Sequence, residues 1–116
     1  MEITEMKTDQ GIVFGVKGRI DMETAPELDK RLNAVIEAGP QIIIMDCSQL
    51  EYITSAGLHV LHKFGRRLRQ ARRTLVICAL ADYLREIFQI VELNRQLPII
   101  NSPQEAWADP ALQIST

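Results

Sequence analysis

Apolar residues in this chain form short continuous runs that alternate with helically spaced sets. The run Ile42–Met45 is unbroken and rich in β-branched residues, which is typical of a strand buried on both faces of a parallel sheet. From Leu58 the apolar spacing becomes that of an amphipathic helix, with histidines and basic residues between the apolar positions. This stretch therefore predicts a central strand, a polar loop from Asp46, and a helix with Thr54 or Ser55 as its N-cap.

The rest of the chain continues this alternation of strand and helix patterns. Two apolar runs around a polar loop predict an N-terminal antiparallel hairpin, and residues 24–27 have the form of a capping box that opens the first helix. A glycine and a proline at 39–40 end that helix. Later patterns predict a strand at Thr74–Cys78, a third helix, a short strand at Pro98–Ile100 and a second capping box at 102–105. The predicted order is β-β-α-β-α-β-α-β-α, with a sheet that is at least partly parallel.

Composition limits the classes of protein to which the chain can belong. Its 116 residues fit one domain, taken as 1–116, with a single hydrophobic core. A net charge of −2 argues against general nucleic-acid binding, and every apolar run is far shorter than the ~18 residues that a membrane span needs. The acidic N-terminus lacks the pattern of a signal peptide, so we expect a cytoplasmic protein without membrane insertion. Cys47 and Cys78 lack metal-ligand spacing and are expected to be reduced thiols.

The start of the second helix is the most distinctive chemical feature of the sequence. Free N–H groups and the helix dipole favour negative charge there, so a phosphate on Ser55 would be tolerated. Ala56 and Gly57 keep the surroundings small, which leaves room for the active site of another protein. From spacing alone, however, an ordinary helix cap is the favoured interpretation of Ser55.

The residues around this serine carry a family resemblance. The segments 46–48 (DCS) and 50–58 (LEYITSAGL) resemble the signature of STAS domains, specifically of the bacterial anti-sigma factor antagonists. The resemblance covers residues 3–107. In that family the serine two positions before the glycine is the phosphorylated one, and that position is Ser55 in this chain.

The resemblance implies an α/β STAS fold, with a mixed central sheet of about four to five strands and helices packed mainly on one face. It also implies a phosphorylation-controlled partner switch that has no catalytic residues, metal or cofactor of its own. The unmodified protein would bind a serine kinase that doubles as an anti-sigma factor, and so free a sigma factor. Phosphorylation of Ser55 would end that binding, and a PP2C-type phosphatase would restore it. ATP in that scheme belongs to the kinase.

Further site residues are assigned from the resemblance and from their position. The expected partner-binding residues are Asp21, Thr54, Ala56, Gly57 and His59. Asp21 matches the family's G-x-I/L-D segment and is expected near Ser55, with a loop carboxylate that caps the first helix as the alternative. Asp46 is expected near the acceptor, where it would influence phosphorylation. Thr54 stands where Asp or Ser is more usual and stays open as an alternative acceptor.

Other functions are weighed against this switch. The STAS subunit of a lipid-transport ABC system would use the same fold as a constitutive interaction module, without regulated phosphorylation. A hydrolase that uses Ser55 and His59, four residues apart, is disfavoured because no G-x-S-x-G elbow surrounds the serine. His59 and His62 lack further ligands in their helix, so no metal is expected. The basic run from Lys63 to Arg73 is interpreted first as a solvated face and second as a partner-docking patch.

Overall fold

The structure, a computed structural model, describes residues 1–108, so residues 109–116 of the predicted single domain lie outside the described part. The elements are β1 (Glu2–Lys7), β2 (Gly11–Ile20), α1 (Ala25–Glu37), β3 (Ile42–Ile53), α2 (Ser55–Gln70), β4 (Thr74–Cys78), α3 (Asp82–Ile90), a 3-10 turn (Leu93–Arg95), β5 (Ile99–Ile100) and α4 (Pro103–Ala108). This order is the predicted one.

The five strands form one mixed sheet in the order β1-β2-β3-β4-β5. Strands β1 and β2 are antiparallel, which confirms the predicted hairpin, and all other neighbours are parallel. A helix lies between each pair of consecutive parallel strands along the chain. The carboxyl ends of β2, β3 and β4 therefore share one edge of the sheet, where the connections to α1, α2 and α3 begin.

Each face of the sheet carries its own apolar cluster, because successive residues of a strand point to opposite faces. The larger cluster lies beneath α1, α2 and α3, and includes Phe14, Ile43 and Phe88. A smaller cluster on the other face joins Ile44 to Ala106 of α4. The helices are thus packed mainly on one face, as the resemblance implied.

The two cysteines are buried free thiols, as expected, and they belong to different clusters. Cys47 packs in the larger cluster and Cys78 in the smaller one, so the two thiols lie on opposite faces of the sheet. Burial raises the pKa of both thiols, that of Cys78 to about 11. This arrangement excludes a disulfide between them in the folded chain.

The central strand is longer than predicted. The predicted loop from Asp46 is wrong: β3 continues to Ile53, because its polar half pairs with β2 as far as Ile20. On its other side β3 pairs with β4 only as far as Asp46, which lies opposite Cys78, the last residue of β4. The second half of β3 therefore has no strand on this side, and it exposes polar side chains. Its pairing with β2 contains two register shifts.

Residues of the basic run also make contacts that link α2 and the segment after it to α1 and its C-terminal loop. The guanidinium of Arg73 donates to the carbonyl oxygens of Ile36 at 2.7 Å and Pro40 at 2.9 Å. Lys63 forms an ion pair with Asp29 of α1. These contacts join the region of α1 to α2, whose first residue is the predicted phosphoacceptor.

Candidate phosphorylation site and partner surface

Ser55 is the first residue of α2 and lies exposed at the edge where β2 and β3 end. Thr54 precedes the helix with an extended backbone, and its N–H donates to the carbonyl oxygen of Ile20 at 2.9 Å. The first helical hydrogen bond runs from the Leu58 N–H to the Thr54 carbonyl at 3.0 Å. The N–H groups of residues 55–57 consequently have no partner within the helix. The first turn contains no acidic residue, so these donors and the helix dipole favour an anion at Ser55.

The neighbouring threonine is placed differently. The Thr54 hydroxyl oxygen is buried and has no hydrogen-bond partner in the described part of the chain. Thr54 occupies the N-cap position of α2, as predicted, but the side-chain hydrogen bond expected of the cap is absent. Of the two adjacent hydroxyl residues, Ser55 is exposed while Thr54 keeps its oxygen out of reach of solvent.

The fold leaves no room for a side chain at Gly57. It is buried, and a Cβ added to it would lie 2.5 Å from Cγ2 of Ile20 and 2.6 Å from Cγ1 of Ile53. The absence of a side chain lets α2 begin directly against the two strand ends. The expectation that Gly57 leaves room for a partner is thus corrected. Ala56 is half-buried against the larger cluster, and His59 is exposed one turn after Ser55.

Asp21 begins the loop between β2 and α1, at the same edge of the sheet as Ser55. Its Oδ1 accepts from the N–H groups of Glu23 at 2.9 Å and Thr24 at 3.0 Å. The Thr24 hydroxyl accepts from the Asp21 N–H at 2.8 Å and lies 3.0 Å from the carbonyl oxygen of Arg19, to which it donates. The Thr24 N–H in particular lowers the pKa of Asp21. Asp21 thus holds the entry to α1, while the predicted cap by the Thr24 side chain is not formed.

Asp46 is not brought to Ser55. It lies within β3 opposite Gly15, and its Oδ1 accepts from the Ser48 N–H at 2.9 Å. The strand that continues from Asp46 to Ile53 lies between it and the acceptor and spans about 23 Å at the rise of an extended strand. Asp46 instead borders a surface cleft of about 300 Å³ beside β1.

Sequence reasoning missed an exposed apolar residue in the loop that begins at the same edge of the sheet as Ser55. Met22, in the loop after Asp21, has 79% of its surface exposed. The available signal was an apolar residue inside an otherwise polar turn. Within residues 1–108 there is no group of three His, Cys, Asp or Glu that could hold a metal ion. No helix in that range has the length and apolar character to cross a membrane.

The chain belongs to the STAS domain family, whose model matches residues 4–106. The protein BtrV of Bordetella bronchiseptica is 32% identical over 108 residues, which cover 93% of each chain. The anti-sigma-B factor antagonist of Listeria monocytogenes is 33% identical over 101 residues, which cover 87% of this chain and 88% of its own.

Solved structures share the fold at lower identity. The Bacillus anti-sigma factor antagonist SpoIIAA in its unphosphorylated form aligns with a TM-score of 0.73 at 16% identity, covering 97% of this chain and 100% of its own. The phosphorylated form of SpoIIAA aligns with a TM-score of 0.70 at 18% identity, covering 91% of this chain and 96% of its own. The fold of the site described above is therefore that of a STAS domain.

Proposed function

We propose that this protein is an anti-sigma factor antagonist whose binding is switched by phosphorylation of Ser55. The observation that carries the proposal is the position of Ser55, exposed at the first residue of α2 with N–H groups that the helix leaves unused. The relative from Listeria monocytogenes is named an anti-sigma-B factor antagonist, which supports the antagonist role. A solved phosphorylated form of SpoIIAA supports the idea that this fold accepts a phosphate.

Ser55, rather than Thr54, is the acceptor in this proposal. A kinase must bring its active site within bonding distance of the hydroxyl oxygen that it phosphorylates. The Thr54 oxygen is buried, so transfer to it would require the start of α2 to open. Ser55 is exposed, and no such opening is needed.

The phosphate would act directly at the binding surface. It adds about 1.5 to 2 negative charges, comparable to the whole net charge of −2, at one point on the surface. The start of α2 is held in position by the hydrogen bond from Thr54 to Ile20 and by the close packing of Gly57. A partner that covers Ser55 therefore meets the new charge without a change of fold. Placing this charge against an acidic or apolar surface of the partner costs several kcal/mol, and each ~1.4 kcal/mol lowers affinity tenfold, so one phosphate would release the partner.

The partner in this scheme is a serine kinase that doubles as the anti-sigma factor. Its binding frees a sigma factor, and its own ATP supplies the phosphate. A PP2C-type phosphatase removes the phosphate and restores binding. The antagonist itself contributes a surface, with His59 exposed one turn from Ser55 and Ala56 beside it, and performs no catalysis in the cytoplasm where we place it.

The proposal is tested by retrieval of partners from the native organism with tagged wild-type protein, Ser55→Ala and Ser55→Asp. The Thr54→Val variant is the matched control, since it removes the adjacent hydroxyl and leaves the acceptor. We expect one kinase-fold anti-sigma factor with wild type, Ser55→Ala and Thr54→Val, and its loss with Ser55→Asp. Equal retrieval by all four proteins would contradict the switch, and a transport protein as the common partner would favour a constitutive STAS subunit.

A further inference from the structure

The Asp21 carboxylate forms its hydrogen bonds within its own loop. Within residues 1–108 its hydrogen bonds come only from Glu23 and Thr24. Two are donated by backbone N–H groups, and the single proton of the Thr24 hydroxyl, 3.2 Å away, is shared with the Arg19 carbonyl oxygen. The backbone closes the same turn, because the Ala25 N–H donates to the Asp21 carbonyl oxygen at 2.8 Å. The loop is therefore held in one shape, although its surface is open to solvent.

Met22 is presented by this loop at the edge where Ser55 lies. Ile20, two residues before Met22, pairs with Ile53, two residues before Ser55. The two residues thus leave neighbouring strand ends in the same direction. An exposed methionine in a turn of fixed shape offers apolar area at a small cost in ordering the backbone on binding.

We propose that Met22 is an apolar anchor for the protein that binds over Ser55, and that Asp21 is a positioning residue that holds Met22 in place. This inference rests on the proposed function, since it takes the anti-sigma factor as that partner. The anti-sigma factor then offers an apolar pocket beside its contact with Ser55. A few buried side chains of this kind usually carry most of the affinity of an interface.

The anchor is tested by measuring how tightly Met22 variants bind the anti-sigma factor. That factor is first identified as the protein that the Ser55→Ala variant retrieves. We expect Met22→Ala to weaken binding about tenfold or more, and Met22→Leu to stay within about threefold of wild type. Ile90→Ala is the matched control, because Ile90 is also 79% exposed but lies at the end of α3, which runs back towards the opposite edge of the sheet. Equal affinities of Met22→Ala and Ile90→Ala would overturn the anchor.

The positioning role is tested by the pair Asp21→Asn and Asp21→Ala. The Asn amide oxygen can accept the same loop hydrogen bonds, whereas Ala removes the acceptor. We expect amide hydrogen exchange at Glu23 and Thr24 to accelerate in Asp21→Ala only, and binding to weaken in that variant as in Met22→Ala. If Asp21 instead contacts the partner through its charge, Asp21→Asn will bind as weakly as Asp21→Ala, and the positioning role is wrong.

These outcomes separate the inference from the proposed function. If wild type and Ser55→Ala bind the anti-sigma factor, Ser55→Asp does not, and Met22→Ala binds like wild type, only the anchor is wrong. If no anti-sigma factor is retrieved by any variant, the proposed function is wrong and the anchor falls with it. The hydrogen-exchange comparison at Asp21 needs no partner and decides the role of Asp21 within the loop in either case.

Discussion

Thr24 and Thr54 each precede a helix at the edge of the sheet where Ser55 lies. Substitution of the two threonines directly tests the hydrogen bonding of the two loops. The Thr54 hydroxyl is buried without a partner in the described residues, whereas the Thr24 hydroxyl accepts from Asp21 and donates to Arg19. Replacement of threonine by valine keeps the β-branched shape and puts a methyl group in place of the hydroxyl. The same substitution is therefore expected to lower the free energy of unfolding at Thr24 but not at Thr54.

The magnitudes follow from these environments. An unpaired buried hydroxyl costs about 1–3 kcal/mol, so Thr54→Val should leave the free energy of unfolding unchanged or raise it by up to about 2 kcal/mol. Thr24→Val loses one accepted and one donated hydrogen bond, and should lower the free energy of unfolding by about 1–2 kcal/mol. If Thr54 were a working N-cap, its loss would instead cost about 0.5–2 kcal/mol.

Urea unfolding followed by circular dichroism measures both variants against wild type, with equal m-values required for the comparison. If Thr54→Val lowers the free energy of unfolding by more than about 0.5 kcal/mol, the hydroxyl stabilises the start of α2. That result would refute the description of the Thr54 hydroxyl as buried and unpaired, on which the choice of Ser55 over Thr54 rests. No loss in Thr24→Val would refute the account of the Asp21 loop.

Three further predictions concern the core and the loop. Gly57→Ala should cost about 1–3 kcal/mol, because its methyl group would overlap two buried isoleucines, and thermal unfolding checks this. Cys47 and Cys78 should not react with a thiol reagent at neutral pH until the chain unfolds, since burial raises the pKa of both thiols. The lowered pKa of Asp21 means that its carboxylate adds stability above the ordinary pKa of Asp, and that this contribution is lost as the pH falls through the folded pKa. Asp21→Asn should therefore lack the part of the acid-induced fall in urea midpoint that wild type shows below about pH 4.

Much of the fold could be predicted from local patterns. The strand Thr74–Cys78 was bounded correctly because it is short, apolar and buried on both faces. The end of α1 was marked by Gly39, whose φ of +90° suits a residue without a side chain. The extension of β3 to Ile53 could not be predicted in this way, because it depends on β2 lying alongside polar residues that resemble a loop.

The candidate site was predictable in part for similar reasons. A helix start with a hydroxyl residue and the family resemblance were enough to select Ser55. The direction of the Thr54 hydroxyl and the contact of Gly57 with two strand ends depend on tertiary packing, which no local pattern encodes. The same holds for Met22, whose exposure depends on the conformation of the loop between β2 and α1.

The central claim is that Ser55 carries the phosphate that controls binding. The most direct measurement is tandem mass spectrometry of the protein isolated from its native cells, both free and in complex with its anti-sigma factor. We predict phosphate on Ser55 in the free fraction, none on Thr54, and unmodified protein in the complex. Phosphate on Thr54, or on Ser55 in the bound fraction, would contradict this claim.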